Sequence, residues 1–399
     1  MKTKDKNNRR HFIKVTAAGL AGVTLLNGNT AEAKPKKEQK IIYRTLGRTG
    51  VKLPIVSFGA MRGDGKALVE GGIAKGILHF DTAHGYQKGK NEVMIGEVLK
   101  NHDRDKFFIA TKVYCQDMDR KTGLINEEAT AEKFLEMLDI SLERLQMRQV
   151  DLLYVHALST KQAVLHPEIL KAVKIAKEQG KARFIGVSTH KNEPDVIRAA
   201  VEAGIYDVVL TAYNFKQDHR EELKLAIAEA AAKGIGFVAM KTMAGGFLDK
   251  EKTAPVNTRA ALKWALLDEN ICTAIPGFTS FEHLEESFSV MEDLKLTKKE
   301  EKDLDYARDV AGLYCNQCSH CEGMCKNNLP IPEIMRSYMY TYGYRDMNQA
   351  KDLLSHMEVN SNACANCDEC TVTCVKDFAV GERVQDICRL MDVPDDFIV

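Results

Sequence analysis

The stretch Asp151-Leu152-Leu153-Tyr154-Val155-His156 decides the fold class, because it is a short apolar run that ends on a polar residue. Similar runs recur at residues 56–59, 79–81, 107–112, 184–188, 208–213, 236–241 and 273–277. Segments with helical periodicity separate them, as in residues 129–145, where the leucines fall on one stripe. Eight strand–helix units predict an α/β fold, a (β/α)8 TIM barrel. A doubly wound open sheet is the alternative, although Gly63-Asp64-Gly65 is only a fragment of its glycine-rich turn.

The character of the sequence changes after residue 295. Residues 296–313 form a charged helical stretch, and two further helical segments follow at residues 332–342 and 347–357. A chain of 399 residues is also too long for one small domain. We therefore predict a barrel over residues 41–295, followed by a bridging helix and a small α-helical ferredoxin-like domain over residues 296–399.

The N-terminus has the features of an export signal. The paired Arg9 and Arg10 precede a mild apolar run, which is followed by Ala31-Glu32-Ala33, a small-x-small cleavage site. A twin-arginine signal peptide over residues 1–33 is predicted, with a periplasmic or cell-envelope location. A basic tail before a short membrane anchor is the alternative. The run of 12 residues is short for a bilayer, so no stable span is expected in the mature chain.

The charge balance argues against a nucleic acid partner. The chain has a formal net charge of zero, and residues 1–33 carry six Lys/Arg and two acidic residues. The remainder therefore has a net charge of −4, which leaves no basic field to attract phosphates.

Eight of the eleven cysteines form two sets with identical C-x2-C-x2-C-x3-C spacing. The sets are Cys315, Cys318, Cys321 and Cys325, then Cys364, Cys367, Cys370 and Cys374. This spacing is typical of two-cluster ferredoxins, in which the fourth cysteine of each run binds the other [4Fe–4S] cluster. One predicted cluster is thus held by Cys315, Cys318, Cys321 and Cys374, and the other by Cys364, Cys367, Cys370 and Cys325.

Zinc is the main alternative ligand, because Cys-x2-Cys pairs also suit tetrahedral zinc. The sets also lack the proline that usually follows the fourth ferredoxin cysteine, since Lys326 and Val375 stand there. The isolated Cys115, Cys272 and Cys388 are predicted to be small buried apolar residues.

Polar residues at the ends of successive predicted strands suggest a catalytic site. Asp81, Lys112 and His156 end three of them, and Tyr86 follows Asp81 closely. The carboxyl ends of barrel strands converge on one mouth, so these groups should meet there. Tyrosine could donate a proton to a carbonyl oxygen while hydride reaches the carbon. A nearby ammonium, itself held by the carboxylate, is expected to lower the phenol pKa.

From about residue 44 to 294 the sequence resembles the aldo/keto reductase family. The resemblance rests on Asp81-Thr82-Ala83-x2-Tyr86, Glu92, Thr111-Lys112, Asp151-x4-His156, Gly186-Val187-Ser188, Tyr213-Asn214 and Ile275-Pro276-Gly277. It implies a catalytic tetrad of Asp81, Tyr86, Lys112 and His156, with Tyr86 as general acid/base. The cysteine sets resemble those of the family's iron–sulfur branch.

The resemblance also implies NAD(P)H at the barrel mouth. It would place Ser188 and its neighbour Thr189 near the nicotinamide, the 240–246 loop with Lys241 and Met243 near the pyrophosphate, and residues 277–286, from Gly277 to Glu286, near the adenosine. This chain differs from the family's usual residues at several cofactor positions, where it has Leu210, Thr189, Phe278, His283 and Ser287. The charged groups that would hold a 2′-phosphate are missing, which disfavours NADP relative to NAD.

Two functions remain open at this level. The first is an exported oxidoreductase acting on a small carbonyl or alcohol, with electron transfer through the clusters to a partner protein. The second is an electron-carrier or binding protein whose barrel has lost nicotinamide-dependent catalysis. His84 and His190 could also lie at the mouth, but the sequence assigns them no role.

Overall fold

The computed structural model describes residues 41–63 and 65–398. The export signal predicted for residues 1–33 lies outside this part of the chain. Within it, no helix combines the length and the apolar character needed to cross a bilayer.

A short antiparallel hairpin precedes the main sheet, formed by β1 (Tyr43–Thr45) and β2 (Lys52–Pro54). The main sheet, as far as the chain is described, contains eight parallel strands in sequential order. They are β3 (Phe58–Gly59), β4 (His79–Asp81), β5 (Phe108–Val113), β6 (Val150–Val155), β7 (Ala182–Thr189), β8 (Val208–Ala212), β9 (Gly236–Met240) and β10 (Ile271–Ala274).

Backbone hydrogen bonds join the two edges of this sheet. The amide of Ser57 donates to the carbonyl of Ala274 at 2.8 Å, and the amide of Gly59 donates to Pro276 at 3.0 Å. The parallel α/β fold predicted from the sequence is confirmed, and the joined edges give the closed barrel rather than the open sheet.

Helices alternate with the barrel strands and then continue beyond them. Those up to residue 291 are α1 (Lys66–Ala74), α2 (Lys90–Leu99), α3 (Ala131–Leu145), α4 (Lys161–Val164), α5 (Pro167–Glu178), α6 (Glu193–Ala203), α7 (Arg220–Ala231), α8 (Thr258–Leu266) and α9 (Phe281–Phe288). The rest are α10 (Lys298–Asp309), α11 (Ile331–Tyr342), α12 (Met347–His356) and α13 (Val380–Cys388). The helix predicted from residue 129 begins at Ala131, because the Thr130 side chain caps it by accepting from the amide of Lys133.

The inside of the barrel is filled by side chains. Leu210 and Tyr154 pack there with Leu46 and Leu53 of the hairpin, and all four are fully or almost fully buried. The hairpin therefore closes the amino-terminal end of the barrel, and the opposite end, where the strands finish, is left for a ligand.

We expect Gly47→Ala to destabilise the fold by about 3 kcal/mol or more, because two costs add. Gly47 has a φ of +49°, and a Cβ there would lie 2.3 Å from the amide nitrogen of Gly236. Gly50→Ala is the matched control, since Gly50 has a φ of +70° but no atom within 4 Å of the added carbon. It should cost only about 1 kcal/mol. Urea unfolding midpoints test this, and equal losses in the two variants would contradict the close packing at Gly47.

The C-terminal helices share a core with the barrel. Ile334 and Tyr338 of α11 lie in one buried cluster with Phe215, Ala244 and Val256, which belong to the barrel loops. The described residues accordingly fall within one compact unit.

Candidate functional site

The four residues of the predicted tetrad meet at the open end of the barrel. Asp81 is the last residue of β4, Lys112 lies near the end of β5, and His156 directly follows β6. Tyr86 begins a 3-10 turn just after β4. Because β4, β5 and β6 are neighbours in the sheet, their ends present these side chains side by side.

Lys112 lies at the centre of the group. Its Nζ donates to Asp81 Oδ1 at 2.5 Å, to the carbonyl of Thr82 at 2.7 Å and to Tyr86 Oη at 3.2 Å. The Lys112 and Asp81 side chains are each only 1% exposed. The ammonium is thus fixed against the phenol oxygen by a buried carboxylate.

His156 completes the group through its ring. The His156 and Tyr86 ring centres are 6.0 Å apart at an angle of 80°, and Tyr114 stacks on His156 at 4.0 Å. His156 Nδ1 is buried and has no hydrogen-bond partner among the described residues. The imidazole lies beside Tyr86 and lines the same cavity.

Burial controls the protonation of these groups. It raises the pKa of Tyr86 well above its usual value, and the nearby Asp81 carboxylate acts in the same direction. The lowered phenol pKa expected from the neighbouring ammonium is therefore wrong. Burial, helped by the Lys112 charge, lowers the pKa of His156 well below its usual value. At neutral pH the site thus presents a protonated phenol and a neutral imidazole.

Lys112→Met is expected to destabilise the protein by about 3–5 kcal/mol, because it leaves the Asp81 carboxylate buried without its partner. In the double variant Asp81→Asn/Lys112→Met no charge is stranded, so most of the stability should return. Chemical denaturation of both variants measures the difference. Equal stability of the single and double variants would show that the pair is not coupled in this way.

The tetrad opens into a cavity of about 870 Å³. The cavity is lined by Asp81, Tyr86, Lys112 and His156 at one end and extends to Gly277 and Ser287. The volume of the cavity is at the upper end of the usual range for ligand sites, so the cavity has room for a dinucleotide or a small substrate.

A family model described as "Aldo/keto reductase family" matches residues 64–259, about half of the chain, and this region contains the whole tetrad. L-galactose dehydrogenase of Arabidopsis thaliana is 28% identical over 298 residues, covering 64% of this chain and 90% of that protein. Probable aldo-keto reductase 1 of Glycine max is 26% identical over 339 residues, covering 71% of this chain and 95% of that protein. An aldo-keto reductase from Bacillus halodurans, solved in its holo form, superposes with a TM-score of 0.54 at 22% identity, over 67% of this chain and 96% of that one.

Residues 64–259 match the aldo/keto reductase family, and the barrel fold agrees with that match. The similar proteins are named as reductases and dehydrogenases, so the chain is an aldo-keto reductase-like oxidoreductase. The structural neighbour is below 25% identical and supports the fold alone.

Two acidic residues of the family motif, Glu92 and Asp151, stabilise the strands that carry the tetrad. Glu92 accepts from the Thr111 hydroxyl at 2.6 Å and pairs with Arg144 at 3.3 Å. Asp151, at the start of β6, pairs with Arg104 at 2.8 Å and with Arg183 at 2.6 Å. These contacts fix strand positions and do not reach the cavity.

The residues that the aldo/keto reductase resemblance assigns to the nicotinamide cofactor divide into two groups. Ser188, Lys241, Met243 and Gly277 line the cavity, as does Ser287. Thr189 and Glu286 do not line it, and the Thr189 hydroxyl donates instead to the carbonyl of Lys191 at 2.9 Å. Leu210, which replaces a family glutamine, is fully buried inside the barrel.

His84 and His190 also reach the cavity. His84 Nδ1 lies 3.0 Å from the Ser141 hydroxyl. Burial and the nearby Arg336 and Lys241 lower the pKa of His190 well below its usual value, so it is neutral.

The C-terminal region covers the cavity, which sequence reasoning missed. Glu333, Arg336 and Tyr340 of α11 line it, followed by Tyr344 and His356. These residues lie far along the chain from the tetrad, so no motif spacing links them to it. The available signal was two charges, Glu333 and Arg336, within an otherwise largely apolar helix.

The eight cysteines of the two predicted sets lie near one another in two groups, while the cluster assignment itself stays a prediction. Burial and the neighbouring thiols of Cys321, Cys318 and Cys374 raise the pKa of Cys315 to about 12. The other four surround a second cavity of about 70 Å³, lined by Cys325, Cys364, Cys367 and Cys370 with apolar side chains such as Val380 and Val384. All cysteines in the described chain are free thiols, and Cys115, Cys272 and Cys388 are buried as predicted.

No three histidine, cysteine, aspartate or glutamate side chains in the described residues come close enough together to hold a single metal ion. A [4Fe–4S] cubane is larger than a single ion, so its four thiolates stand farther apart than the ligands of one ion do. The two four-cysteine groups, one of them lining a small cavity, have the donor chemistry that such a cluster needs.

Proposed function

We propose that this chain is an exported oxidoreductase of the aldo/keto reductase type that interconverts a carbonyl and an alcohol and exchanges electrons through two [4Fe–4S] clusters. The observation that carries the catalytic part is the contact of one ammonium, on Lys112, with both Asp81 and the phenol oxygen of Tyr86. Together with His156 they form one end of a cavity large enough for a substrate.

Each tetrad residue has a distinct task in this proposal. Tyr86 donates its phenolic proton to the carbonyl oxygen during reduction and takes it back during alcohol oxidation. Lys112 donates a hydrogen bond to the phenolate that remains, and Asp81 holds that ammonium in place. His156, kept neutral by burial, has one N–H with which to orient the substrate oxygen.

A bound nicotinamide would supply the hydride, and the residues around the cavity fit it in part. Ser188, Lys241, Met243 and Gly277 line the cavity and support this part of the proposal, while Thr189 and Glu286 are carried over from the family resemblance alone. NADH is proposed in preference to NADPH, because the groups that would pair with a 2′-phosphate are absent from the family positions, now Gly277, Phe278 and His283.

Two [4Fe–4S] clusters, when bound, would each carry one electron. Cys315, Cys318, Cys321 and Cys374 are proposed to hold the first, and Cys325, Cys364, Cys367 and Cys370 the second. Cys318 and Cys370 are exposed. Each cluster would therefore have an edge near solvent, where a redox partner protein could exchange electrons with it.

The proposed organisation is a signal over residues 1–33, the barrel over residues 41–295, and the bridging helix with the ferredoxin-like domain over residues 296–399. Twin-arginine export to the periplasm or cell envelope is supported by Arg9 and Arg10 and by the cleavage-type Ala31-Glu32-Ala33.

An electron-carrier or binding function is the second candidate. It is favoured by Leu210, which is buried in the barrel interior, and by Thr189, whose hydroxyl donates to the backbone carbonyl of Lys191. Two positions that would recognise the nicotinamide in the family are thereby unable to do so here.

One assay separates the two candidates. Protein purified without oxygen is mixed with a panel of aldehydes and ketones, with and without NADH, and alcohol formation is measured. The oxidoreductase is expected to form alcohol, and Lys112→Met should abolish it. Absence of alcohol with every carbonyl, from a protein whose clusters still accept electrons from dithionite, would favour the carrier.

A further inference from the structure

An arginine of the C-terminal region lines the covered cavity and carries a donor without a partner. Arg336 of α11 lines the cavity, its side chain is only 9% exposed, and it pairs with Glu333 through one terminal nitrogen. Its Nε is buried and has no hydrogen-bond partner among the described residues. A buried donor without a partner is costly, so this atom is suited to a ligand acceptor.

A second arginine approaches the tetrad from the loop after β5. The Arg120 guanidinium lies 4.1 Å from the centre of the Tyr114 ring, and that ring stacks on His156 at 4.0 Å. Arg120 makes no ion pair within the described residues and also lines the cavity. It is therefore a cation held against the single ring that stacks on the imidazole, on the side of the cavity formed by the loop after β5.

Positive charge exceeds negative charge in this part of the cavity. The Glu333 carboxylate is shared by Arg336 and Lys191, and Lys191 also pairs with Glu322. The two positive and two negative charges of these four groups therefore cancel. Asp119 also lines the cavity, but its carboxylate accepts from the backbone amides of the turn that it begins.

Lys241 and Arg120 remain without a carboxylate partner in the described chain. The cations Arg336, Lys241 and Arg120 all lower the pKa of His190, beside the effect of burial. The same three cations, together with Lys112, surround His156. The space in front of His156 is therefore electropositive.

We propose that the substrate carries a carboxylate, and that Arg336 binds this group through its free Nε–H while Arg120 adds a second positive charge. The substrate class is then an oxo acid and its hydroxy acid rather than a neutral aldehyde or ketone. This assignment rests on the function proposed above for the same cavity. A planar guanidinium fork suits a carboxylate, and a charge-assisted hydrogen bond of this kind is about twice as strong as a neutral one.

Binding of an unreactive carboxylate tests the assignment independently of catalysis. Succinate and the neutral succinamide are titrated calorimetrically into the full-length protein with its native cofactors. We expect succinate to bind and succinamide to bind at least tenfold more weakly. Arg336→Met and Arg120→Met should each weaken succinate binding by about 10–100-fold and leave succinamide unchanged. Arg336→Lys should recover part of the loss.

Arg308→Met is the matched control, because Arg308 lies on α10 and pairs only with the neighbouring Asp305 at 2.8 Å. It should bind succinate as the wild type does. Unchanged succinate affinity in folded Arg336→Met and Arg120→Met would overturn the assignment, even if carbonyls are reduced. An equal loss of NADH affinity in Arg336→Met would also overturn it, because the anion met by Arg336 would then be the dinucleotide's.

A second experiment compares kcat/KM for the reduction of succinic semialdehyde with that for its methyl ester. Arg336→Met should lower kcat/KM for the acid by about 10–100-fold and for the ester hardly at all. A parallel loss for both substrates would contradict a role in carboxylate recognition. If neither is turned over by the wild type but succinate binding depends on Arg336, the proposed catalysis fails and the carboxylate site stands.

Discussion

Tyr86→Phe is expected to lower kcat for carbonyl reduction by about 10²–10⁴-fold, the usual contribution of a positioned proton donor. The Tyr86 hydroxyl accepts a hydrogen bond from Lys112 at 3.2 Å, and burial keeps the phenol protonated at neutral pH. Phenylalanine keeps the ring against His156 but removes the proton that the carbonyl oxygen must receive. Steady-state kinetics with any carbonyl that the wild type reduces will show the loss.

Tyr340→Phe is the matched control for this substitution. Tyr340 also carries a phenol into the cavity, but its ring lies 5.3 Å from Lys241 Nζ and it does not contact Lys112. Activity close to that of the wild type is expected. Full activity of Tyr86→Phe would show that another group supplies the proton and would remove the tetrad from the account.

Paired cysteine substitutions are expected to show which thiols share a cluster. The wild type should contain about eight iron atoms per chain, and loss of one cluster should leave about four. Cys315→Ala/Cys374→Ala removes two ligands of one predicted cluster, so about four iron atoms should remain. Cys315→Ala/Cys325→Ala damages both predicted clusters, so almost no iron should remain. Iron and sulfide analysis after anaerobic purification gives the counts.

The reverse outcome would show that each run of four cysteines binds its own cluster. The crossed outcome is favoured because the thiol of Cys374 neighbours that of Cys315, and Cys325 lines the cavity shared by Cys364, Cys367 and Cys370. Cys388→Ala is the control, since Cys388 is fully buried in the C-terminal core and should leave the iron count unchanged. Zinc in place of iron in the wild type would contradict both arrangements.

The barrel could be predicted because short stretches of sequence indicate each of its strands and helices. Strands such as β4 (His79–Asp81) coincide with the predicted apolar runs, and Asp81, Lys112 and His156, which end three of the runs, lie at the mouth. The parallel topology follows from the alternation of strands and helices, and it then brings Asp81, Lys112 and His156 together without further information.

The features that the sequence did not predict depend on packing between segments that are distant along the chain. Arg336 and Tyr340 line the same cavity as the tetrad only because α11 packs on the barrel loops, and no sequence pattern specifies that docking. The direction of the Tyr86 pKa shift also failed, since the motif shows the neighbouring ammonium but not the depth of burial. Leu210 was recognised as a departure from the family, and only its place in the barrel interior explains why a leucine suits that position.

The proposed function joins a carbonyl-reducing cavity to two iron–sulfur clusters within one chain. Anaerobic mixing of the oxidised protein with NADH, followed through the visible absorption of the clusters, tests it most directly. NADH gives up two electrons, so the account predicts that one NADH per chain is oxidised and that both clusters become reduced. Clusters that remain oxidised while NADH reduces a carbonyl in the same protein would show that the two centres are not connected, and would contradict the claim.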